Sequence, residues 1–430
     1  MIRSSGRERG AGGAEEPAAA PSPEQLRGNV RKVLLLSGVW MFLLIMPVIV
    51  PFLQARGLSM AEVFALQTVF AVGLVVLEVP SGYVADVVGR RRCLVMASVL
   101  YGVAFTWLAL GDGFWHFVVF ELIAALAASL RSGTDVALLY DSLEALGDEG
   151  TGTKLLGRKL FWGQTGETAA ALVGGGLALA SLDLPAVANA ATAWVPLLVS
   201  LTLVEPPRGK LEGTHRENIR LIARELLRGG RVLRLTFLNL VAYGLATLLV
   251  VWAFQGYWGA LGLPVWVFGL LWAAYNLAVA LTARAAHRIR RRLGRRGVVL
   301  AIGVLPVVGY LGMAACASGG ALLAAGGVAF GFAFQVSRGL TQVVVRDELN
   351  VRVSAAMRAT ANSLTSLGVR LAFAALGPLL GWLIDRHGYG PSLASFGLVY
   401  AASAVLLAAP LALALREEDG PVSGNDGRPA

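Results

Sequence analysis

"GYVADVVGRRR", residues Gly82 to Arg92, ends a long apolar run on three consecutive arginines. The run before it, about residues 62–85, is long enough to cross a hydrocarbon core as a helix. Deep inside it stands an acid, Glu78, and another, Asp86, stands just past its end. Working outward, the same alternation recurs along the chain. Runs of about 20 apolar residues fall near 33–54, 62–85, 93–111, 115–141, 160–181, 186–204, 232–255, 265–286, 297–316, 321–345, 358–384 and 391–415.

Composition agrees with that count. Of 430 residues, 56% are hydrophobic and 15% charged, against roughly 25% charged in a soluble domain. Mean hydropathy is +0.66. In lipid an open strand leaves its backbone groups without partners, so each run is expected to be a helix. The sequence therefore predicts an all-α integral membrane protein of twelve transmembrane helices.

The net charge of +10 does not indicate nucleic acid. The basic residues sit between apolar runs, and no folded basic domain presents them to a groove. Their distribution sets topology instead. Of 37 Lys and Arg, Arg56 and Arg386 fall in outer loops, and Arg131, Arg338 and Arg370 fall inside spans, which leaves 32 on one side. The positive-inside rule places that side, with both termini, in the cytoplasm of a plasma or inner membrane.

Five regions follow. Residues 1–31 are rich in Gly, Ala, Pro, Glu and Arg, lack the apolar stretch of a signal peptide, and read as a disordered cytoplasmic tail. Residues 32–204 and 232–415 each carry six spans. Between them, 205–231 reads as a cytoplasmic linker with Pro206, Pro207 and a short helical patch at Ile219, Leu221, Ile222 and Leu226. Residues 416–430 form a second disordered tail. Cys93 and Cys316 fall at opposite ends of their spans, about 30 Å apart across the bilayer, too far for a disulfide.

The halves repeat weakly. "VVGRRR" after the second span is matched by "RLGRRG" (Arg292–Gly297) after the eighth, and "YDSL" (Tyr140–Leu143) by "RDEL" (Arg346–Leu349). Gly89 to Gly294 is 205 residues and Asp141 to Asp347 is 206, so two landmarks share one spacing. Such duplication is common in transporters, with the substrate site near midplane between the repeats.

The opening stretch, placed after the second of twelve spans, closely resembles the loop signature of the major facilitator superfamily. Gly82, Asp86, Gly89, Arg90 and Arg91 meet it, and Val87 stands where a basic residue is usual. Gly82 lets another helix approach closely. Asp86 can face the positive N-terminal end of a neighbouring helix, and Arg90 can pair with it. The resemblance implies that the neighbour is span 11, which starts near Arg358, and that this latch holds an outward-open state. It also implies two pseudo-symmetric six-helix bundles around one cavity, with a small-molecule substrate and no enzymatic activity. The second copy is degenerate: Arg291 and His287 stand where Asp86 and Gly82 are matched.

Three further features are loosely similar to the drug/proton antiporters of that superfamily: "MPVIVPFL" (Met46–Leu53) in span 1, Arg131 in span 4, and the glycine face Gly174–Gly176 in span 5. Intramembrane charges are costly and usually functional. Candidates for proton coupling are thus Glu78, Arg131, Asp135, Glu167 and Arg370. Asp135 lies one turn from Arg131 and can pair with it on one helix face, and Glu78 can be a titrating carboxyl or a partner of Arg370. Glu121 is a further acid within span 4. Cavity candidates in the second half are Asn239, Tyr275, Asn276, Gln335 and Arg338. Trp115, Trp258, Trp266 and Trp382, near span ends, are expected in the interfacial belt. No Walker sequence and no His/Cys metal spacing occurs, so neither ATP-driven pumping nor a metal or other cofactor is expected. The expected function is proton-coupled efflux of a small amphipathic or drug-like compound by a monomer in contact with membrane lipids. Proton-coupled uptake of a polar metabolite is the alternative, and a non-transporting receptor on the same fold a third.

Overall fold

A computed structural model of the chain describes residues 21–207, 226, 230–354 and 357–418. Its regular elements, among the described residues, are all helical. Span 1 is Pro23–Trp40 followed, after a break, by Met46–Val48 and Ile49–Ala55. Spans 2 and 3 are Met60–Val88 and Arg90–Leu110, and span 4 is Phe114–Arg131 with Thr134–Leu146. Span 5 is Gly152–Leu177, and span 6 is Asp183–Thr192 with Val195–Leu201. Span 7 is Arg231–Ala260, and spans 8 and 9 form the 52-residue element Val265–Cys316. Span 10 runs Ala321–Leu340, Thr341–Val345 and Arg346–Arg352; span 11 is Arg358–His387. Span 12 is Tyr389–Ser403, Ala404–Ala408 and Ala409–Glu418.

Among the described residues, nine of these helices are long and apolar enough to cross a membrane by themselves. One of the nine turns at Gly294 and counts twice, and the broken span 1 and the glycine-rich span 5 complete the twelve. The six-helix halves meet along three seams: span 2 on span 11, span 5 on span 8, and span 1 on span 7.

The repeat spacing has a backbone cause. Gly89 turns the chain between spans 2 and 3 with φ 114°, and Gly294 does so between spans 8 and 9 with φ 70°. Both values lie where a Cβ is strained and glycine is not. At each turn the arginines meet acids from the neighbouring spans. Arg90 pairs with Asp86 and, at 3.5 Å, with Asp141. Arg290 pairs with Asp347 at 2.9 Å, and Arg295 with Glu348 at 2.8 Å. Glu205, after span 6, accepts the backbone N–H groups of Arg90 and Arg91 at 2.8 Å each, which caps the amino end of span 3. The end of the molecule bearing these clusters is called the basic face below, and the other end the opposite face.

Several elements depart from the sequence expectation. The first helix begins at Pro23, inside the expected disordered tail, with Ser22 and Gln25 forming a capping box. Asn29 explains why this segment is ordered. It is fully buried, donates to the Val204 carbonyl at 2.8 Å and to Ser142 at 3.2 Å, and accepts the Val204 N–H at 3.0 Å. The rest of that tail, the linker patch at Ile219, Leu221 and Ile222, and residues 419–430 lie outside the described residues; Leu226 is buried. Span 4 is interrupted at Ser132–Gly133, where Gly133 takes φ 78°. Span 1 is interrupted before Pro47, and other spans supply the backbone partners the break removes. Gln255 of span 7 accepts the Val50 N–H at 2.9 Å and donates to the Met46 carbonyl at 2.8 Å. Trp258 is not in an interfacial belt: it is fully buried and stacked on Phe254, with Phe268 and Tyr275 of span 8 packed edge-on against it. Trp115, Trp266 and Trp382 are exposed.

The small-residue face of span 5 packs directly on span 1. A Cβ at Gly174 would lie 1.9 Å from the Leu44 carbonyl oxygen, and one at Gly166 2.2 Å from that of Gly38. At Gly176 it would meet nothing within 4 Å. Gly174→Val is therefore expected to force spans 1 and 5 apart, at a cost of about 3 kcal/mol or more. Size-exclusion chromatography of the detergent-solubilised variant should show little monodisperse protein, and Gly176→Val should elute as the parent does. Equal behaviour of the two variants contradicts this packing.

Candidate functional site

The two faces differ. On the opposite face the halves touch. Asp385, at the end of span 11, accepts the N–H groups of Met60 at 2.9 Å and Ala61 at 2.7 Å, the first amides of span 2. Four residues earlier, a Cβ on Gly381 would lie 2.6 Å from the Met60 carbonyl oxygen, so the backbones approach as only glycine allows. A carboxylate on unsatisfied helix-start amides, next to the positive end of the helix dipole, is a favourable arrangement. Beneath it Phe64 meets Phe373 at 6.0 Å between ring centroids, and Gly175 of span 5 abuts Gly269 of span 8.

On the basic face the seam between spans 2 and 11 is open. A Cβ at Gly82 would meet nothing within 4 Å, and Tyr83 is 72% exposed. Asp86 and Arg90 pair within their own half. The start of span 11 is tied instead to span 10, where the Arg358 guanidinium donates to the Asn350 carbonyl and the Asn362 amide to the Asn350 side chain.

Between these ends lies a cavity of about 500 Å³. Span 7 gives it an apolar wall of Leu240, Tyr243, Leu248, Val251 and Trp252, with Phe70 of span 2 and Phe373 of span 11. Its polar groups are Gln67, Thr247, Thr341, Gln342, Thr365, Ser366 and three arginines, Arg338, Arg346 and Arg370. Toward the basic face it continues into a cleft of about 340 Å³ lined by Glu78 and Ser132 from one half and Arg346, Asn362, Ser363, Ser366 and Arg370 from the other. Glu78 and Arg370 thus share one cleft without forming an ion pair within 4 Å, and Glu78 is exposed in it.

The other sequence candidates are placed as follows. Arg131 does not pair with Asp135, because the helix breaks between them. Its guanidinium lies over the Trp40 ring at 4.9 Å, and Asp135 takes Lys159 at 2.9 Å. Glu167 accepts from Trp272 and Asn276 of span 8, both at 3.1 Å, and from Gln164 at 3.4 Å, so it bridges the halves. Glu121 is buried and accepts from Gln67 at 2.7 Å. Of the second-half candidates, Arg338 lines the cavity and four do not. Asn239 is buried and donates to the Leu407 carbonyl, tying span 7 to span 12. The Tyr275 hydroxyl donates to the Val328 carbonyl, Asn276 serves Glu167, and Gln335 is buried.

Sequence reading missed Arg346, Gln67, Gln342 and Asp385. For Asp385 a signal was present. Gly381, Asp385 and Gly388 repeat the G-x3-D-x2-G spacing of Gly82, Asp86 and Gly89, and Gly388, like Gly89, has positive φ.

Comparison with known proteins fits this geometry. Residues 33–369 match the family model described as Major Facilitator Superfamily. Comparison with curated proteins yields no match. Among solved structures, the nucleoside transporter NupG superposes with TM-score 0.70 at 15% identity, covering 92% of this chain and 99% of that one. A bacterial homolog of the human lysosomal transporter Spinster, described as inward-facing and unoccupied, gives 0.70 at 16%, covering 94% and 100%. A D-xylose–proton symporter gives 0.67 at 17%, covering 90% and 97%.

Proposed function

This chain belongs to the Major Facilitator Superfamily and is a multi-pass membrane transporter, and from that premise we propose that it exports a small amphipathic compound in exchange for protons. The supporting observation is the cavity itself: a largely aromatic and aliphatic wall between the two halves, closed at one face and open toward the other. The positive-inside rule makes the basic face cytoplasmic, so the arrangement is the one that loads from the cytoplasm of a plasma or inner membrane. Uptake of a polar metabolite fits less well, since spans 2 and 7 give the cavity few hydrogen-bonding groups.

Transport proceeds by rocking the halves about this cavity. In the state described, Asp385 on the span 2 start holds the outer side shut. In the opposite state Asp86 would serve the start of span 11 in the same way, with Gly82 as the point of approach. Glu167 is the acid proposed to couple protons to this motion. Its hydrogen-bonding partners across the seam, Trp272 and Asn276, are neutral donors, so loss of its charge weakens bonds between the halves. A proton then shifts the balance by its difference in affinity for the two states.

The test is flux in proteoliposomes. An imposed pH gradient is expected to drive uphill movement of an amphipathic dye, and Glu167→Gln should bind the dye yet lose the gradient dependence. Binding without flux in the parent protein contradicts transport, and gradient-driven flux in Glu167→Gln contradicts this choice of acid.

A further inference from the structure

We propose that the compound carried is an organic anion, an apolar body bearing one carboxylate, sulfonate or phosphate that the cavity arginines receive. The inference rests on the transporter reading above and specifies its substrate class.

Arg338, Arg346 and Arg370 line one cavity whose described lining includes no acid, and the adjoining cleft brings a single acid, Glu78, beside Arg346 and Arg370. None of the three has a carboxylate within 4 Å or a hydrogen-bonding partner among the described residues, whereas Arg56, Arg90, Arg290, Arg295 and Arg352 all hold acids. An unpaired cation at membrane depth is costly. Three of them around one water-accessible space leave an anion as the missing partner. The carboxylates acting on them from further off are Glu167 toward Arg338 and Glu78 toward Arg370. Both lie on the other half of the molecule, so an arriving anion competes with groups that must change distance when the halves rock.

Helix geometry supports a built site rather than scattered charge. Eight residues separate Arg338 from Arg346, and a regular helix would rotate the second about 80° away from the first. Residues Thr341–Val345 form a π-helical turn, which is wider and under-rotates the chain. The result puts Arg338, Thr341, Gln342 and Arg346 on one cavity-facing stripe of span 10. Arg370 reaches the same space from span 11. Guanidinium groups suit oxyanions because their fork donates paired bonds. The remaining wall, with Trp252, Phe70 and Phe373, fits an aromatic or aliphatic body, and about 500 Å³ is the size of a drug-like ligand site.

The experiment uses full-length protein in nanodiscs of phosphatidylcholine and a matched set of naphthalenes: 2-naphthoate, 2-naphthalenesulfonate and 2-naphthyl phosphate, the neutral 2-naphthamide, and the 2-naphthylmethylammonium cation. Affinities are read from quenching of tryptophan fluorescence. At least one anion is expected to bind tenfold or more tightly than the amide and the cation, and to weaken as salt rises. Arg338→Gln and Arg370→Gln should each lose about tenfold for the anion with the amide unchanged. Arg338→Lys, which keeps the charge but not the fork, should bind the anion less tightly than the parent and more tightly than the glutamine variant, which shows that the loss in the latter is not misfolding. Adding 10% phosphatidylglycerol to the nanodisc separates the sources. Displacement of naphthoate supports a lipid headgroup as the anion, and its persistence supports a soluble one. Equal binding of the amide, or binding of none of the three anions, overturns the proposal. Dye flux in liposomes that persists under either result leaves the transport reading standing.

Discussion

Replacing Asp385 by Ala is expected to shift the protein out of the state described here and open its opposite face. The carboxylate holds two amides that begin span 2, at 2.9 and 2.7 Å, and these bonds cross from one half to the other. A hydrogen bond to a charged group contributes roughly 1.5–3 kcal/mol. Helix-start amides near the surface can bond water once the carboxylate is gone, so the net loss is nearer 2 kcal/mol for the pair. That is about a thirtyfold change in the ratio of the two states. Spin labels at Leu110 and Leu322, exposed at the opposite ends of spans 3 and 10, would report it. Native Cys93 and Cys316 are buried and should not react. The parent should give one short distance, and Asp385→Ala a majority at longer distance. An unchanged distribution contradicts the latch. Asp385→Glu, which can still reach the amides, should lie between the two.

Glu348→Ala is expected to be the most destabilising single change on the basic face. Glu348 is 5% exposed and receives Arg295 at 2.9 and 2.8 Å, Arg290 at 3.4 Å and Arg352 at 2.5 Å. It therefore joins the turn between spans 8 and 9 to the end of span 10, and Glu418 from span 12 completes the cluster through Arg352. Removing the shared acid leaves three guanidinium groups facing one another. Breaking a buried ion pair by deleting one partner costs about 3–5 kcal/mol. The arginines here are partly exposed, and the lower end of that range applies. Thermal unfolding in detergent should shift down by several degrees, and 0.5 M salt should recover part of the loss by screening the arginines. Asp347→Ala, whose side chain is half exposed and meets Arg290 alone among the cluster, should shift far less. A small effect at Glu348 would mean that the cluster does not hold the half together.

The twelve crossings and their pairing into halves were readable because span length and turn glycines are one-dimensional signals. Gly89 and Gly294 mark the same turn in both halves, and the charges beside them follow the same register. What could not be read is rotation. Asn239 and Leu240 are adjacent in span 7, yet Leu240 faces the cavity and Asn239 faces span 12. A helix that is apolar all round has no polar stripe to say which side meets the partner half. Tyr275, Asn276 and Gln335 were unreadable as cavity or packing residues for the same reason. The breaks in spans 1 and 4 were hidden for another reason. Their backbone partners, Gln255 for span 1 and the φ 78° of Gly133 for span 4, belong to tertiary structure and local geometry rather than to hydropathy. Arg346 was read as the end of a span, and the π turn before it brings it into the cavity. The second G-x3-D-x2-G, at Gly381–Gly388, was legible and carries the contact that closes the opposite face.

The central claim is that the two faces are alternatives, so that releasing the Asp385 contact on one side closes the other. It is tested most directly on the basic face of the Asp385→Ala protein, with spin labels at Tyr83 and Val351, the exposed ends of spans 2 and 10. The account predicts that their separation shortens in the variant relative to the parent, as Gly82 and Asp86 come against the start of span 11. An unchanged or longer separation, with the opposite face open at the same time, would contradict it.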